Sequence, residues 1–172
     1  IPRQDRVSTP EDVEAYLSEA QLVASLNHPG IVPVYDVGRT DDGLCYVVSR
    51  FVDGTNLKDK MACALLAFHE TAELVAQVAE ALQDAHVHDL VHLDVKPANI
   101  LIDAAEKPYV CDFGLAMREE DLTNESRYGG TPAYMSPEQA SGEGHRIDVQ
   151  FVPVQERLLM ALVSLGNVAN RL

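Results

Sequence analysis

Between Val91 and Ile100 the chain reads VHLDVKPANI, with His92, Asp94, Lys96 and Asn99 gathered around Pro97. The proline bars a regular helix, because it has no amide hydrogen and its ring clashes with the preceding turn. An apolar periodic segment ends just before this stretch and another apolar run begins just after it. A chain with that order must lay a polar loop on the border of its core, with anchored elements on both sides. Asp94 and Asn99 offer oxygen atoms that can converge on one point. Lys96 follows Asp94 by two residues, which puts both on the same side of an extended segment. A carboxylate, an ammonium and a carboxamide aimed at one spot suit a polar substrate with a departing phosphoryl group. The aspartate would orient a hydroxyl, the lysine would neutralise phosphate charge, and the asparagine would hold a hard cation.

The elements around the loop can be placed from local signals. Thr9-Pro10-Glu11-Asp12 is a helix start, with a capping hydroxyl, proline at the first helical position and acids facing the dipole. Val13, Tyr16, Leu17, Ala20, Val23 and Ala24 continue at helical spacing until Asn27-His28-Pro29-Gly30 stops the run. Ile31 to Val37 and Leu44 to Val52 are β-branched runs flanking the turn Arg39–Gly43, which predicts a hairpin. Gly54-Thr55-Asn56 breaks the pattern. A long helix is predicted from about His69 to His86, with Leu74, Val75, Val78, Leu82 and Ala85 on one face. A short strand, the polar loop, and a strand pair at Ile100–Ile102 and Tyr109–Cys111 around the turn Asp103–Lys107 follow. Residues 115–137 read as loop, with Gly129, Gly130, Pro132 and Pro137. The fold class is α+β, with a cleft between a strand-rich part and a helical part.

Composition narrows the chemistry. The 172 residues carry a formal net charge of −14, which argues against a nucleic-acid partner, since binding a phosphate backbone rests on cationic neutralisation. The same charge would repel a free nucleoside triphosphate, so phosphate chemistry here calls for divalent cations as intermediaries. No apolar run reaches the length that spans a bilayer, and IPRQDRVSTP has no signal-peptide core, so a cytoplasmic protein is expected. Cys45, Cys63 and Cys111 stand singly among apolar neighbours and read as reduced, buried thiols. His86 and His88 are two apart and do not share a helical face for a metal.

Asp112-Phe113-Gly114 lies thirteen residues beyond Asn99, and GTPAYMSPE follows at Gly130–Glu138. In this order and spacing, HxDxKPxN, DFG and GTPxYMSPE resemble the catalytic loop, metal loop and substrate-docking segment of eukaryotic-like protein kinases. The resemblance covers about residues 1–148. LNHPGIVPVYDVG and YMSPEQASGEGHR are most similar to bacterial serine/threonine kinases. It implies a two-lobed kinase fold, with residues 1–52 as an N-lobe remainder, 53–148 as part of the C-lobe, and 149–172 as a divergent tail. It implies transfer of the ATP γ-phosphate to Ser or Thr hydroxyls of a protein substrate, with ATP and Mg2+ as cofactors. Asp94 matches the catalytic aspartate, Lys96 the lysine that contacts the γ-phosphate, and Thr131 the threonine that touches both. Asn99 and Asp112 match the two magnesium ligands. Glu19 matches the helix glutamate that pairs with the ATP-anchoring lysine. Ser49 matches the gatekeeper, Arg50-Phe51-Val52 the adenine hinge, and Leu101 the floor of the adenine pocket. Val23, Val34, His92 and Phe113 match the stacked spine of an active kinase, so His92 reads as a packing residue rather than an acid–base catalyst. Thr123 and Ser126 fall where relatives are phosphorylated.

The chain departs from the family pattern in three places. The glycine-rich loop and lysine strand are absent from it. Leu93 stands where arginine is usual, so control through a loop phosphate is not expected and Leu93 should pack. After His145-Arg146-Ile147-Asp148 the resemblance stops, and VQFVPVQERLLMALVSLGNVANRL holds no family residue. The expectation is a kinase domain truncated at both ends, impaired as it stands and derived from a cut, frame-shifted or rearranged gene. The alternatives are a pseudokinase-like protein-binding module and a non-functional remnant.

Overall fold

Pro10 opens the first helix as its capping signal predicts. In the computed structural model, which describes residues 10–63, 66–113, 117–118 and 131–141, helix α1 runs Pro10–Ser25. Val13 and Val23 are buried along it, and Leu26 is buried just beyond its end. The chain then turns at Asn27–Gly30, and Ile31 pairs in parallel with Val110. Val32 N–H donates to the Val110 carbonyl at 2.9 Å, and Val110 N–H donates to the Gly30 carbonyl at 2.8 Å. Ile31 therefore belongs to the core rather than to the predicted hairpin. The hairpin itself is shorter and shifted: β1 (Val34–Arg39) pairs antiparallel with β2 (Cys45–Ser49).

The predicted break at Gly54-Thr55-Asn56 is in fact β3 (Gly54–Asn56), which runs straight into α2 (Leu57–Cys63). Asn56 starts that helix, its Oδ1 accepting from Asp59 N–H at 2.9 Å. The long helix α3 (Phe68–Val87) matches the prediction within a residue at each end. Glu70 accepts from the Ala67 N–H at 2.9 Å, half of a capping box without a hydroxyl to complete it. The apolar stripe of α3 is buried throughout, from Leu74 to Ala85. Asp89, with φ of 59°, ends the helix turn and feeds β4 (Leu90–Val91).

Strands β5 (Ile100–Asp103) and β6 (Pro108–Val110) form the predicted pair, and β3 adds to the other edge of β5. Strand β4 pairs with β7 (Met117–Arg118). Helix α4 (Pro137–Ser141) closes the described part. The core joins Val23, Leu26 and Ile31 to Leu57, the α3 stripe, Leu90, Ile100, Ile102, Val110 and Phe113. The α3 stripe forms one side of this core, and the polar loop runs between two of its members, Leu90 and Ile100. Cys45 is buried, Cys111 is partly buried and Cys63 is exposed at the end of α2, so the reading of three buried thiols fails at Cys63. Thr123, Ser126 and the tail 149–172 lie outside the described residues.

Candidate active site

The loop is anchored first by His92. Buried Leu90 and Val91 deliver its ring into the core, where it is 1% exposed. The ring packs on Phe113 with centroids 4.4 Å apart. Nε2 lies 3.1 Å from the Cys111 carbonyl, so this nitrogen carries the hydrogen, since a carbonyl only accepts. Nδ1 is then free to accept from the Asp94 N–H at 3.3 Å. Burial holds the His92 pKa below its ordinary value, and the bond to the Cys111 carbonyl offsets this only in part. A neutral, stacked histidine joins the loop to the strand that ends at Asp112. Val23 and Phe113 are members of the core and Val34 packs against it, so the four residues matched to a spine share one apolar body.

Beyond His92 the backbone bends sharply at Leu93, whose φ is 60°. The bend brings Asp94 N–H to within 2.8 Å of the His92 carbonyl and turns the Asp94 side chain inward, 7% exposed. Lys96 Nζ lies 2.5 Å from Asp94 Oδ2 and 2.8 Å from Thr131 Oγ1. Thr131 Oγ1 donates to Asp94 Oδ1 at 2.8 Å. A closed triangle of carboxylate, ammonium and hydroxyl results, although Thr131 is 37 residues from Asp94 in the chain. Burial alone would raise the Asp94 pKa, but the hydrogen bonds from Lys96 and Thr131 and the Lys96 charge hold it below the usual carboxylate range. Asp94 is therefore an ionised acceptor at neutral pH.

Asn99 closes the loop. Pro97–Asn99 form one turn of 3-10 helix with proline at its first position, a shape that the proline favours rather than forbids. Asn99 Nδ2 donates to the Asp94 carbonyl at 3.0 Å and to Asp94 Oδ2 at 3.3 Å, which leaves Oδ1 for another partner. Cys111 N–H donates to the Asn99 carbonyl at 3.0 Å, so the residue before Asp112 is laced to the loop. Asp112 itself has φ of 59° and an exposed side chain.

The residues matched to nucleotide binding lie on other elements. Ser49 ends β2 opposite Val34, Val52 is half-buried in the link to β3, and Phe51 is 84% exposed. Arg50 N–H donates to the Pro33 carbonyl at 2.9 Å, and its guanidinium lies 5.2 Å from the centre of the Tyr109 ring. Along β5, Ile100 and Ile102 enter the core while Leu101 is half-buried on the opposite face. Glu19 lies within α1, but its side chain is outside the described ones.

One residue of the site went unread in the sequence. Gln139 Nε2 donates to the Leu93 carbonyl at 2.7 Å. The signal was present as Ser136-x-x-Gln139, the spacing of a capping box. Ser136 N–H donates to Gln139 Oε1 at 3.1 Å and Gln139 N–H donates to Ser136 Oγ at 3.0 Å.

A polar loop laced to the strand before Asp112, with threonine closing on aspartate and lysine, is the arrangement that the resemblance to protein kinases implies. The chain belongs to the protein kinase domain family, which it matches over residues 2–151. It is similar to the serine/threonine-protein kinase PknB of Mycolicibacterium smegmatis, at 40% identity over 151 residues, covering 83% of this chain and 24% of that protein. It is also similar to PknB of Mycobacterium leprae, at 38% over 150 residues, and to the serine/threonine-protein kinase PrkC of Bacillus subtilis, at 38% over 145 residues. The chain spans about a quarter of the length of these curated relatives.

Proposed function

We propose that this chain transfers the γ-phosphate of ATP to a serine or threonine hydroxyl of a protein substrate. The Asp94–Lys96–Thr131 triangle carries the reading. Asp94, ionised and fixed by donors from Lys96, Thr131 and Asn99, accepts a hydrogen bond from the acceptor hydroxyl and directs its lone pair toward the phosphorus. Lys96 meets the negative charge of the transferring group. Thr131 holds both in register and brings the substrate-docking segment to them.

The donor chemistry of the site fits magnesium. Among the described residues no three Asp, Glu, His or Cys side chains converge. Magnesium accepts one or two protein oxygens and takes its remaining ligands from phosphates and water. Asn99 Oδ1 and the Asp112 carboxylate would supply those two. The ion, when bound with ATP, would neutralise phosphate charge that this acidic chain would otherwise repel.

Glu19 is assigned to nucleotide positioning, Ser49 and Val52 to the adenine side of the cleft, and Leu101 to its floor. The position of half-buried Leu101 on the face opposite the core supports the last assignment. We set the lobe boundary between residues 52 and 53, place residues up to 148 in the kinase unit, and treat 149–172 as a separate tail. Among the described residues no helix is long and apolar enough to cross a membrane. A reaction that draws on ATP puts this part of the chain in the cytoplasm.

The test is transfer of labelled γ-phosphate to a generic protein acceptor in the presence of Mg2+. Asp94→Asn should lower the rate by about a thousand-fold or more. Asp112→Ala should abolish the Mg2+-dependent rise in thermal midpoint with ATP. Transfer unchanged in Asp94→Asn would overturn the assignment.

A further inference from the structure

We propose that Gln139 is a positioning residue for the Asp94 loop, its side-chain amide holding the Leu93–Asp94 peptide in the orientation that aims Asp94 at Lys96 and Thr131. The inference rests on the phosphotransfer reading for its catalytic consequence, and on geometry alone for the clamp.

The Leu93–Asp94 peptide is gripped at both ends. Its carbonyl accepts from Gln139 Nε2 at 2.7 Å, and its N–H donates to the His92 carbonyl at 2.8 Å. Leu93 occupies the left-handed region, with φ of 60°, where a side chain with a Cβ is disfavoured. Such a conformation persists only when its surroundings over-determine it. A glutamine amide is a good device for this, because its two ends can be held separately. Here Oε1 accepts from Ser136 N–H at 3.1 Å, which leaves Nε2 to face the Leu93 carbonyl. Ser136 is itself 6% exposed, so the anchor is fixed.

Gln139 and Thr131 sit on the same stretch of chain and hold the same loop at two levels. Thr131 fixes the Asp94 carboxylate through its side chain, and Gln139 fixes the backbone one residue earlier. Turning the Leu93–Asp94 peptide would swing the Asp94 carboxylate out of the triangle. Leu93 has no charged side chain with which to tie the loop down. The backbone carbonyl takes that part.

Gln139→Glu separates the two roles of the residue. It keeps the acceptor that caps Ser136 N–H and replaces the donor facing Leu93 with a carboxylate oxygen. Gln139→Met removes both polar ends at similar volume and serves as the second variant. Transfer kinetics are measured with ATP and a protein acceptor, and amide hydrogen exchange is followed by NMR. The expected result for Gln139→Glu is a fall in kcat of about ten- to a hundred-fold, with KM for ATP within about two-fold. The Asp94 amide should exchange at least about ten-fold faster while the Val78 and Leu82 amides in α3 are unchanged. Wild-type kcat and Asp94 exchange in both variants would overturn the proposal. Faster exchange of Val78 and Leu82 in step with Asp94 would also overturn it, since Gln139 would then be a helix cap and nothing more. A wild-type chain that transfers no phosphate would defeat the phosphotransfer reading instead, and the exchange data alone would then decide the clamp.

Discussion

Leu93 and Asp112 have nearly the same backbone angle, with φ of 60° and 59°, yet they reach it on different terms. Aspartate enters the left-handed region readily because its short side chain can hydrogen-bond locally. Leucine has no such help, so Leu93 depends on the bonds around it. Gly54 shows the opposite case, in which a missing side chain makes the fold possible. A Cβ there would stand 1.9 Å from the Ile102 carbonyl oxygen, across the β3–β5 pairing. Gly54→Ala should therefore cost about 2 kcal/mol, read as a lower urea midpoint with an unchanged slope. The cysteines give a second residue-level prediction. Burial, with a smaller contribution from the Asp112 charge, pushes the Cys111 thiol up to about 11. Only the thiolate reacts, so at pH 8 Cys111 should be inert and Cys45 is shielded by burial. Iodoacetamide should add one label per native chain, at exposed Cys63, and the other two only after unfolding. A second label located at Cys111 at pH 8 would mean that the Asn99–Cys111 lacing is open in solution.

At the scale of elements, α3 contributes to stability through an apolar stripe that is covered along its length. Leu82 is 1% exposed within the core that also holds Leu90, Ile100 and Val110, whereas Val87 at the helix end is 69% exposed. Leu82→Ala should cost about 3 kcal/mol and Val87→Ala less than about 0.5 kcal/mol, both by denaturant unfolding. Helices α1 and α3 were legible because period and end signals agree in them. β3 was not legible, since Gly54-Thr55-Asn56 has the composition of a turn. It becomes a strand only because β5 offers an edge, and because glycine allows the backbones to approach. Ile31 misled for a related reason. Its β-branched run continues into β1, but its partner is Val110, about eighty residues away and invisible to local pattern. The site divides in the same way. Asp94, Lys96 and Asn99 sit close together in the sequence and could be read as one constellation from their chemistry. Thr131 was reachable only through the family resemblance. Gln139 escaped because its capping box resembles any other helix start.

At the scale of the whole molecule, acid should destabilise this protein over two pH ranges. His86 and His92 both have folded pKa values below the ordinary 6.5, in each case chiefly through burial, with His92 adding repulsion at His86. The unfolded chain therefore takes up those protons first. The stability the neutral histidines supply is complete above about pH 6.5 and is lost as the pH falls below it. Asp94 acts lower down. Its folded pKa lies below the ordinary 3.8, so its contribution is present above that value and disappears as the pH falls through the folded pKa. An opposing effect is the net charge of −14, since titrating carboxylates relieves self-repulsion in the folded chain. Which effect wins depends on salt. Each histidine can contribute at most about 1.4 kcal/mol per pH unit between its two pKa values. Repulsion among exposed charges is largely screened beyond about 8 Å at 0.15 M salt. The histidines should therefore dominate there, and the urea midpoint should drop between pH 7.5 and 5.5. His86→Gln should remove part of that drop, because one of the two proton-linked groups is gone. In low salt the same interval should be flatter, as unscreened repulsion pulls the other way. A midpoint that rises on acidification at 0.15 M salt would show that His86 and His92 are as accessible to protons in the folded chain as in the unfolded one. It would thereby remove the buried histidine that joins the Asp94 loop to the strand before Asp112.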